Sequence, residues 1–209
     1  MKLKINIPEK LSEITLGQYQ DWLKVAEGKE MTPFIQQKMI EIFCGITLKE
    51  VLMIKATDID SITNEILKVF EQKPKFIKEF EIDKMQFGFI PKLDDMVFGE
   101  YIDLDTYLGD WSQMHKAMNV LFRPIIFKKN NQYLVSDYEG TGKYNLKTMP
   151  LSIVFGSLVF FWNLRNELQK HILSYLANQT EIPVSQELRD SLKSGVGINP
   201  FTDLAKVIL

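Results

Sequence analysis

"KFIKEFEIDKMQFGFIP", residues 75–91, is the stretch that separates this chain from an all-helical protein. Its apolar residues recur at every second position on both sides of Asp83 and Lys84, which is the spacing of half-buried β-strands. The stretch therefore predicts a β-hairpin that turns near Asp83 and Lys84 and ends at Pro91. "IIFKKNNQYLV", residues 125–135, predicts a second hairpin, because Asn130 and Asn131 can adopt the positive φ that its turn needs.

The residues before the first hairpin are typical of helices. Thr15 with Gln18, and Thr47 with Glu50, have the spacing of capping boxes, and helices are also expected at about 33–44 and 58–71. Only the first residues differ, since Leu3, Ile5 and Ile7 alternate with polar side chains up to Pro8. This alternation predicts an N-terminal edge strand.

Three helices are predicted after the first hairpin. One passes through Phe98, Tyr101 and Leu104, and one follows Gly109 with Asp110 as its cap. The longest covers about residues 150–177, with Pro150 in its first turn. Its first part, residues 150–164, is apolar but shorter than the roughly 20 residues that a spanning helix needs, so a helix buried in protein is expected. A short helix is also predicted at 185–194.

These elements predict an α+β fold that is mainly α-helical, with an N-terminal strand and two short β-hairpins. The expected organisation is one compact domain over residues 1–194, followed by an apolar C-terminal arm over 195–209. Within the domain, residues 1–74 are expected to be helical, 75–148 mixed, and 150–177 one long helix. A chain of 209 residues is long enough to bury such a core.

One phrase occurs twice in the chain. "IPEKLSEITLGQYQDW" from residue 7 and "IPKLDDMVFGEYIDL" from residue 90 align, with Gly17 and Tyr19 matching Gly99 and Tyr101. Glycine near a helix start costs about 1 kcal/mol relative to alanine, and close approach of a neighbouring backbone is the usual reason for it. The repeat indicates either a structural strand-turn-helix unit used twice or a pair of partner-docking corners. In the second copy Val97 replaces the capping Thr15, so Asp94 or Asp95 is expected to be the cap if any residue caps that helix.

Composition limits the classes of function. The net charge is −2, which gives little support to nonspecific nucleic-acid binding. Cys44 is the single cysteine, so no intrachain disulfide can form and a reducing compartment fits best. Its apolar neighbours predict a packed thiol rather than a nucleophile.

The candidate chemical motifs fail on spacing. Six acidic residues crowd 94–110, but a calcium loop that begins at Asp103 has Leu108 where glycine is required. "EGTGKY" lacks the first glycine and the final hydroxyl of a phosphate loop. His115 and His171 have no metal-ligand spacing. We therefore expect no catalytic residue, no bound metal and no cofactor.

Arg165 interrupts the apolar stripe of the longest helix. Either it is buried beside a carboxylate, which the Asp-rich middle of the chain could supply, or it lies along the stripe with its charged head in water.

The last fifteen residues are unusually apolar for a chain terminus. They follow two glycines and either fold back on their own core or dock on a neighbouring subunit. The candidate partner-interface residues are Val196, Ile198, Phe201, Leu204, Val207, Ile208 and Leu209.

"FGFIPKLDDMVFGEYIDLDTYLGDWSQMHKAMNVLFRPI", residues 87–125, resembles uncharacterised structural or assembly proteins of tailed bacteriophages of Bacteroidetes hosts, including the crAss-like group. The resemblance continues through "NQYLVSDYEG" and "MPLSIVFGSLVFFWNL". It implies a non-enzymatic virion protein, made in the host cytoplasm, that forms one ring of the head-to-tail connector between portal and tail. Its expected partners are other phage structural proteins and further copies of itself in a cyclic oligomer.

Such a ring could line a DNA channel without sequence-specific binding, and no membrane partner is expected. The alternative is a tail assembly chaperone that binds another structural protein and is absent from the virion. An enzyme or a nucleic-acid-binding regulator is disfavoured, because the sequence lacks both converging titratable groups and a basic face.

Overall fold

The computed structural model describes residues 5–93 and 96–178. Within these residues the chain forms seven α-helices and one four-stranded antiparallel sheet. The predicted α+β class is confirmed. The predicted helix at 185–194 and the C-terminal arm at 195–209 lie outside the described residues.

The first helices begin where their capping residues predict. The Thr15 hydroxyl accepts a hydrogen bond from the Gln18 amide at 3.2 Å, and the Gln18 side chain accepts one from the Thr15 amide at 2.9 Å. Thr47 and Glu50 form the same reciprocal pair, so both capping boxes are confirmed. The four helices are α1 Leu16–Ala26, α2 Pro33–Cys44, α3 Leu48–Val51 and α4 Ala56–Phe70.

The predicted N-terminal strand is wrong for the described part of that segment, because residues 5–9 have no regular secondary structure. Ile5 and Ile7 still pack half-buried against the core. An extended segment with one side on a core gives the same alternation as a strand. At the end of this segment the Glu9 carbonyl accepts a hydrogen bond from the Gln72 side chain at 2.7 Å, and further along Thr15 forms an isolated β-bridge with Pro150.

Both predicted hairpins are present and belong to one sheet of order β1-β2-β3-β4. The first turns at Asp83 and Lys84, with φ of 49° and 65°, and the second turns at Asn130 with φ 55°. Pairing of Phe87 with Pro124, and of Phe89 with Phe122, joins the two hairpins. The strands are β1 Glu79–Ile82, β2 Met85–Phe89, β3 Phe122–Lys129 and β4 Gln132–Val135.

One face of the sheet forms part of the core. Phe87 and Phe89 are 3 % and 5 % exposed, and Phe122 is fully buried. The remaining helices are α5 Phe98–Tyr107, α6 Met114–Leu121 and α7 Leu151–Asn178. The predicted apolar face of α6 is confirmed, because Met114, Met118 and Leu121 are fully buried.

Helix α7 lies against the segment that leads into β1. Phe76 stacks on Phe160 of α7 with ring centroids 4.3 Å apart and meets Phe89 edge-on at 5.0 Å. Gly156 of α7 lies so close to this segment that an added Cβ would stand 2.2 Å from the Lys75 carbonyl oxygen. Within residues 5–93 and 96–178, no helix combines the length and apolar character that crossing a membrane requires.

Candidate partner-binding surface

Helix α5 is fixed to the sheet by a buried ion pair. One Glu100 oxygen lies 2.8 Å from Nη1 of Arg123 on β3, and the two side chains are 4 % and 14 % exposed. The other Glu100 oxygen accepts a hydrogen bond from the Val97 amide at 2.7 Å. Glu100 therefore caps the helix start and anchors the helix through a single carboxylate. An ion pair removed from water is costly to break, so it fixes α5 in one position.

A second contact holds the next turn of α5. The Tyr138 hydroxyl, beyond β4, donates a hydrogen bond to Asp103. Burial raises the pKa of Tyr138 above its ordinary value, and the Asp103 carboxylate raises it further. Leu104 is buried in the core, and Lys116 of α6 lies 4.8 Å from the centre of the Tyr107 ring. The inner face of α5 is thus attached to β3, α6 and the segment after β4.

The opposite face of α5 is apolar and exposed. Positions 97, 98, 101 and 102 are neighbours on two successive turns at the helix start, because residues three and four apart share a helix face. Singly exposed apolar residues are ordinary, whereas a contiguous group marks an interaction site. We call this group the α5 patch; its members are Val97 (57 % exposed), Phe98 (77 %), Tyr101 (52 %) and Ile102 (46 %).

The two copies of the repeated phrase share a helix start and differ in burial. In both, the third helical residue accepts a hydrogen bond from the N-cap amide. Tyr19 is 6 % exposed and packs edge-on against Trp111 with ring centroids 5.0 Å apart, whereas Tyr101 lies in the α5 patch. The first copy therefore serves the core, and the second presents its tyrosine on the surface.

The two glycines of the repeat differ in the same way. A Cβ added at Gly17 would stand 3.1 Å from the Lys147 carbonyl oxygen, which is the close approach that the sequence predicts. At Gly99 an added Cβ meets no atom of the described residues within 4 Å. The predicted close backbone contact is therefore confirmed at Gly17, whereas at Gly99 the described residues provide none.

The described acidic residues at helix starts, Glu100 and Asp110, each accept a hydrogen bond from a nearby backbone amide. Glu100 accepts a hydrogen bond from the Val97 amide at the start of α5. Asp94 and Asp95, the predicted caps, lie outside the described residues. Asp110 accepts a hydrogen bond from the Ser112 amide at 2.8 Å, and its hydrogen bonds to Ser112 hold its pKa below the usual range. Among the described residues no group of three or more acidic, histidine or cysteine side chains could hold a metal ion.

His115 and Cys44 are each half-buried in the fold. His115 Nδ1 lies 3.2 Å from the Gln20 side-chain nitrogen, and burial together with Lys147 and Lys116 lowers its pKa. Burial raises the pKa of the Cys44 thiol to about 11. The protonated thiol fits the packed cysteine that the sequence predicts, and the His115 ring lies against the Gln20 amide within the fold.

Arg123 is the arginine that pairs with the acidic middle of the chain, and the sequence reasoning missed it. The side chain of Arg165, for which that role was considered, lies outside the described residues. The signal available in the sequence was Arg123 itself. It is the single charged residue in an apolar stretch, with Leu121 and Phe122 before it and Ile125 after it. A charge in such a setting requires a partner.

The seven predicted interface residues between 196 and 209 and the side chain of His171 also lie outside the described part of the structure. Other apolar residues are also exposed, among them Phe34, Leu52 and Met53, and the α5 patch is the group that lies on a helix whose inner face is fixed. Comparison of the chain with protein-family models, curated proteins and solved structures finds no match. The function is therefore argued from the surface itself and from the resemblance given above.

Proposed function

We propose that this protein is a non-enzymatic structural protein of a tailed bacteriophage virion, and that it acts through contacts between protein subunits. Its place is a ring of the head-to-tail connector, with further copies of the chain and the portal or tail rings as neighbours. The observation that supports the proposal most is the α5 patch, because four apolar side chains face outward from a helix whose inner face is fixed.

The way α5 is held favours a permanent contact surface. A patch on a loosely attached helix would turn inward and bury its apolar side chains. Here Glu100 and Asp103 hold the inner face through Arg123 and Tyr138, so that the patch stays exposed. A preorganised surface loses little conformational entropy when a partner binds, which favours stable assembly.

The test is the copy number of this protein in purified particles, measured by quantitative mass spectrometry against the portal protein. A ring component is expected at a fixed ratio to the portal. Absence from purified particles overturns the proposal and indicates the assembly chaperone instead.

Two matched substitutions examine the α5 patch in the same assay. Phe98→Asp places a charge in the patch, whereas Phe34→Asp places one at the start of α2, where Phe34 is 53 % exposed. Both positions lie in the first turn of a helix, where an acidic residue is favourable for folding. Only Phe98→Asp is expected to be lost from particles, and equal incorporation of the two variants would remove the support that the patch gives.

A further inference from the structure

The sheet ends in two edges that are open in the part of the chain that the structure describes. Strands β1 and β4 each pair with a single neighbour there. A strand edge presents unpaired amide and carbonyl groups, which readily accept another strand. Two different open edges on one subunit are what a head-to-tail arrangement of copies needs.

The hydrogen-bond phase shows which residues present their backbone at the open edges. Ile82 closes a two-residue turn and the Phe89 amide donates to the Lys78 carbonyl at 2.7 Å, so β1 directs alternate residues toward β2. Glu79 and Glu81 are the intervening residues, and their backbone groups point outward. The same alternation, counted from the second turn, directs the backbone N–H and C=O groups of Tyr133 toward the open edge of β4.

The β1 edge is acidic, whereas β4 itself carries no charge and the bases nearest to it lie on β3. β1 contains two glutamates and no base, whereas residues 126–134 contain Lys128, Lys129 and no acid. Lys128 already forms an ion pair with Glu79 across the width of β2. Lys128 on β3 is separated from its own Glu79 by one strand, β2. A β1 strand of a neighbour added beside β4 would be separated from Lys128 by one strand as well, which is β4. Pairing β1 with another β1 would place like charges together, which is unfavourable.

The opposite face of the same strands has an exposed apolar row. Tyr133 lies over Gly88, so the adjacent Leu134 is on the other face, which it shares with Phe87 and Met85. The row crosses the sheet near both turns, beyond the buried core. Its exposed members are Met85 (42 %), Phe127 (56 %) and Leu134 (58 %), and the half-buried Ile82 begins it on β1.

From these observations we propose that β1 of one copy of this chain pairs antiparallel with β4 of the next copy, so that the sheet continues from subunit to subunit. The outward backbone of Tyr133 then exchanges two hydrogen bonds with that of Glu79 or Glu81 in the neighbour. Leu134 comes to lie beside the neighbour's β1, so that the apolar row continues onto Ile82 of the neighbour. This contact rests on the proposed function, because it specifies one of the subunit contacts through which a ring would form.

The test uses one variant for each edge, in the full-length chain. Glu81→Pro removes an amide that faces the open edge of β1, a position where an edge strand tolerates proline. Leu134→Glu places a charge in the apolar row of β4, on the sheet face where Ile82 of a neighbouring β1 would lie. Glu81→Thr keeps the amide, and Leu52→Glu changes a residue that is 66 % exposed elsewhere, so these two are the matched controls.

Native mass spectrometry of the separate and mixed variants gives the readout. Wild type and both controls are expected to be oligomeric, and each edge variant alone monomeric. An equal mixture of the two edge variants is expected to form dimers and nothing larger, because one variant retains β4 and the other retains β1. Thermal melting of each variant confirms that the monomers are folded.

Three results would overturn the inference. These are a monomeric wild type, oligomers that persist in both folded edge variants, and a mixture that stays monomeric. None of these results depends on the copy number in particles, so the proposed structural role can hold even if this contact does not form. Absence from particles, in contrast, removes the proposed function while leaving the measured edge contact in place.

Discussion

Replacement of Gly156 by alanine examines the tightest contact between α7 and the rest of the fold. The added Cβ would stand 2.2 Å from the Lys75 carbonyl oxygen and 3.2 Å from the Phe76 Cα. Carbon and oxygen atoms cannot approach so closely, so the two segments must separate by about 1 Å. Phe76 opposes this movement, because it is stacked on Phe160 and packed against Phe89.

The expected change in stability follows from two opposing contributions. Overpacking of a rigid contact costs up to about 3 kcal/mol, and replacing glycine by alanine in a helix returns about 1 kcal/mol. The net loss is about 2 kcal/mol. For a chain of this size each kcal/mol changes the melting temperature by about 2–4 °C, so Gly156→Ala should melt about 4–8 °C lower.

Gly99→Ala is the matched control, because an added Cβ there meets no atom of the described residues within 4 Å. It should keep the propensity gain and raise the free energy of unfolding by up to about 1 kcal/mol. Gly17→Ala, with a contact of 3.1 Å, should fall between the other two variants. Urea unfolding of the three proteins measures this order, and a Gly156→Ala protein as stable as wild type would refute the reasoning.

Two further predictions concern charge and pH. Glu100→Gln leaves the buried Arg123 without its carboxylate and should lower the free energy of unfolding by about 3 kcal/mol. Adding Arg123→Met should recover part of this loss. An unchanged urea midpoint in Glu100→Gln would contradict the prediction. Burial raises the pKa of Cys44 from 9.0 to about 11 and that of Tyr19 from 10.0 to about 12. The contribution of Cys44 is complete below pH 9 and is lost as the pH rises to 11, and that of Tyr19 is complete below pH 10 and is lost as the pH rises to 12, because the unfolded chain ionises first. Cys44→Ala should make this alkaline decline shallower, and an equally steep decline in the variant would count against a buried thiol.

Local patterns in the sequence were sufficient for the helix starts and the turns. Thr15 and Thr47 each satisfy a capping box within four residues, and Asp83 with Lys84 forms a turn between alternating strands. These features depend on a few neighbouring residues, so no tertiary information is needed to predict them. The α+β class follows from their order along the chain.

The orientation of α5 could not be predicted in this way. Phe98 and Tyr101 look like core residues beside Leu104, yet the helix turns Glu100 and Leu104 inward. The partner that decides this is Arg123, which is 23 residues away in sequence and is brought close by the pairing of β2 with β3. The surface that we consider functional therefore depends on a long-range ion pair.

The same limit applies to the glycines and to the N-terminus. The tight contact of Gly156 arises only when the segment around Lys75 packs on α7. The alternation of Ile5 and Ile7 fits a strand and an extended segment on a core equally well, and only tertiary structure distinguishes them. Periodicity reports which side is buried, whereas the identity of the neighbour comes from the fold.

Oxidative footprinting of the protein, free in solution and within purified particles, tests the central claim that the α5 patch is covered in the assembled state. Phe98 and Tyr101 are exposed in the isolated subunit, and Met53, which is 61 % exposed elsewhere, is the internal reference. We expect oxidation of Phe98 and Tyr101 to be strongly reduced in particles relative to Met53. Equal oxidation of the patch in the free and assembled protein would contradict the account.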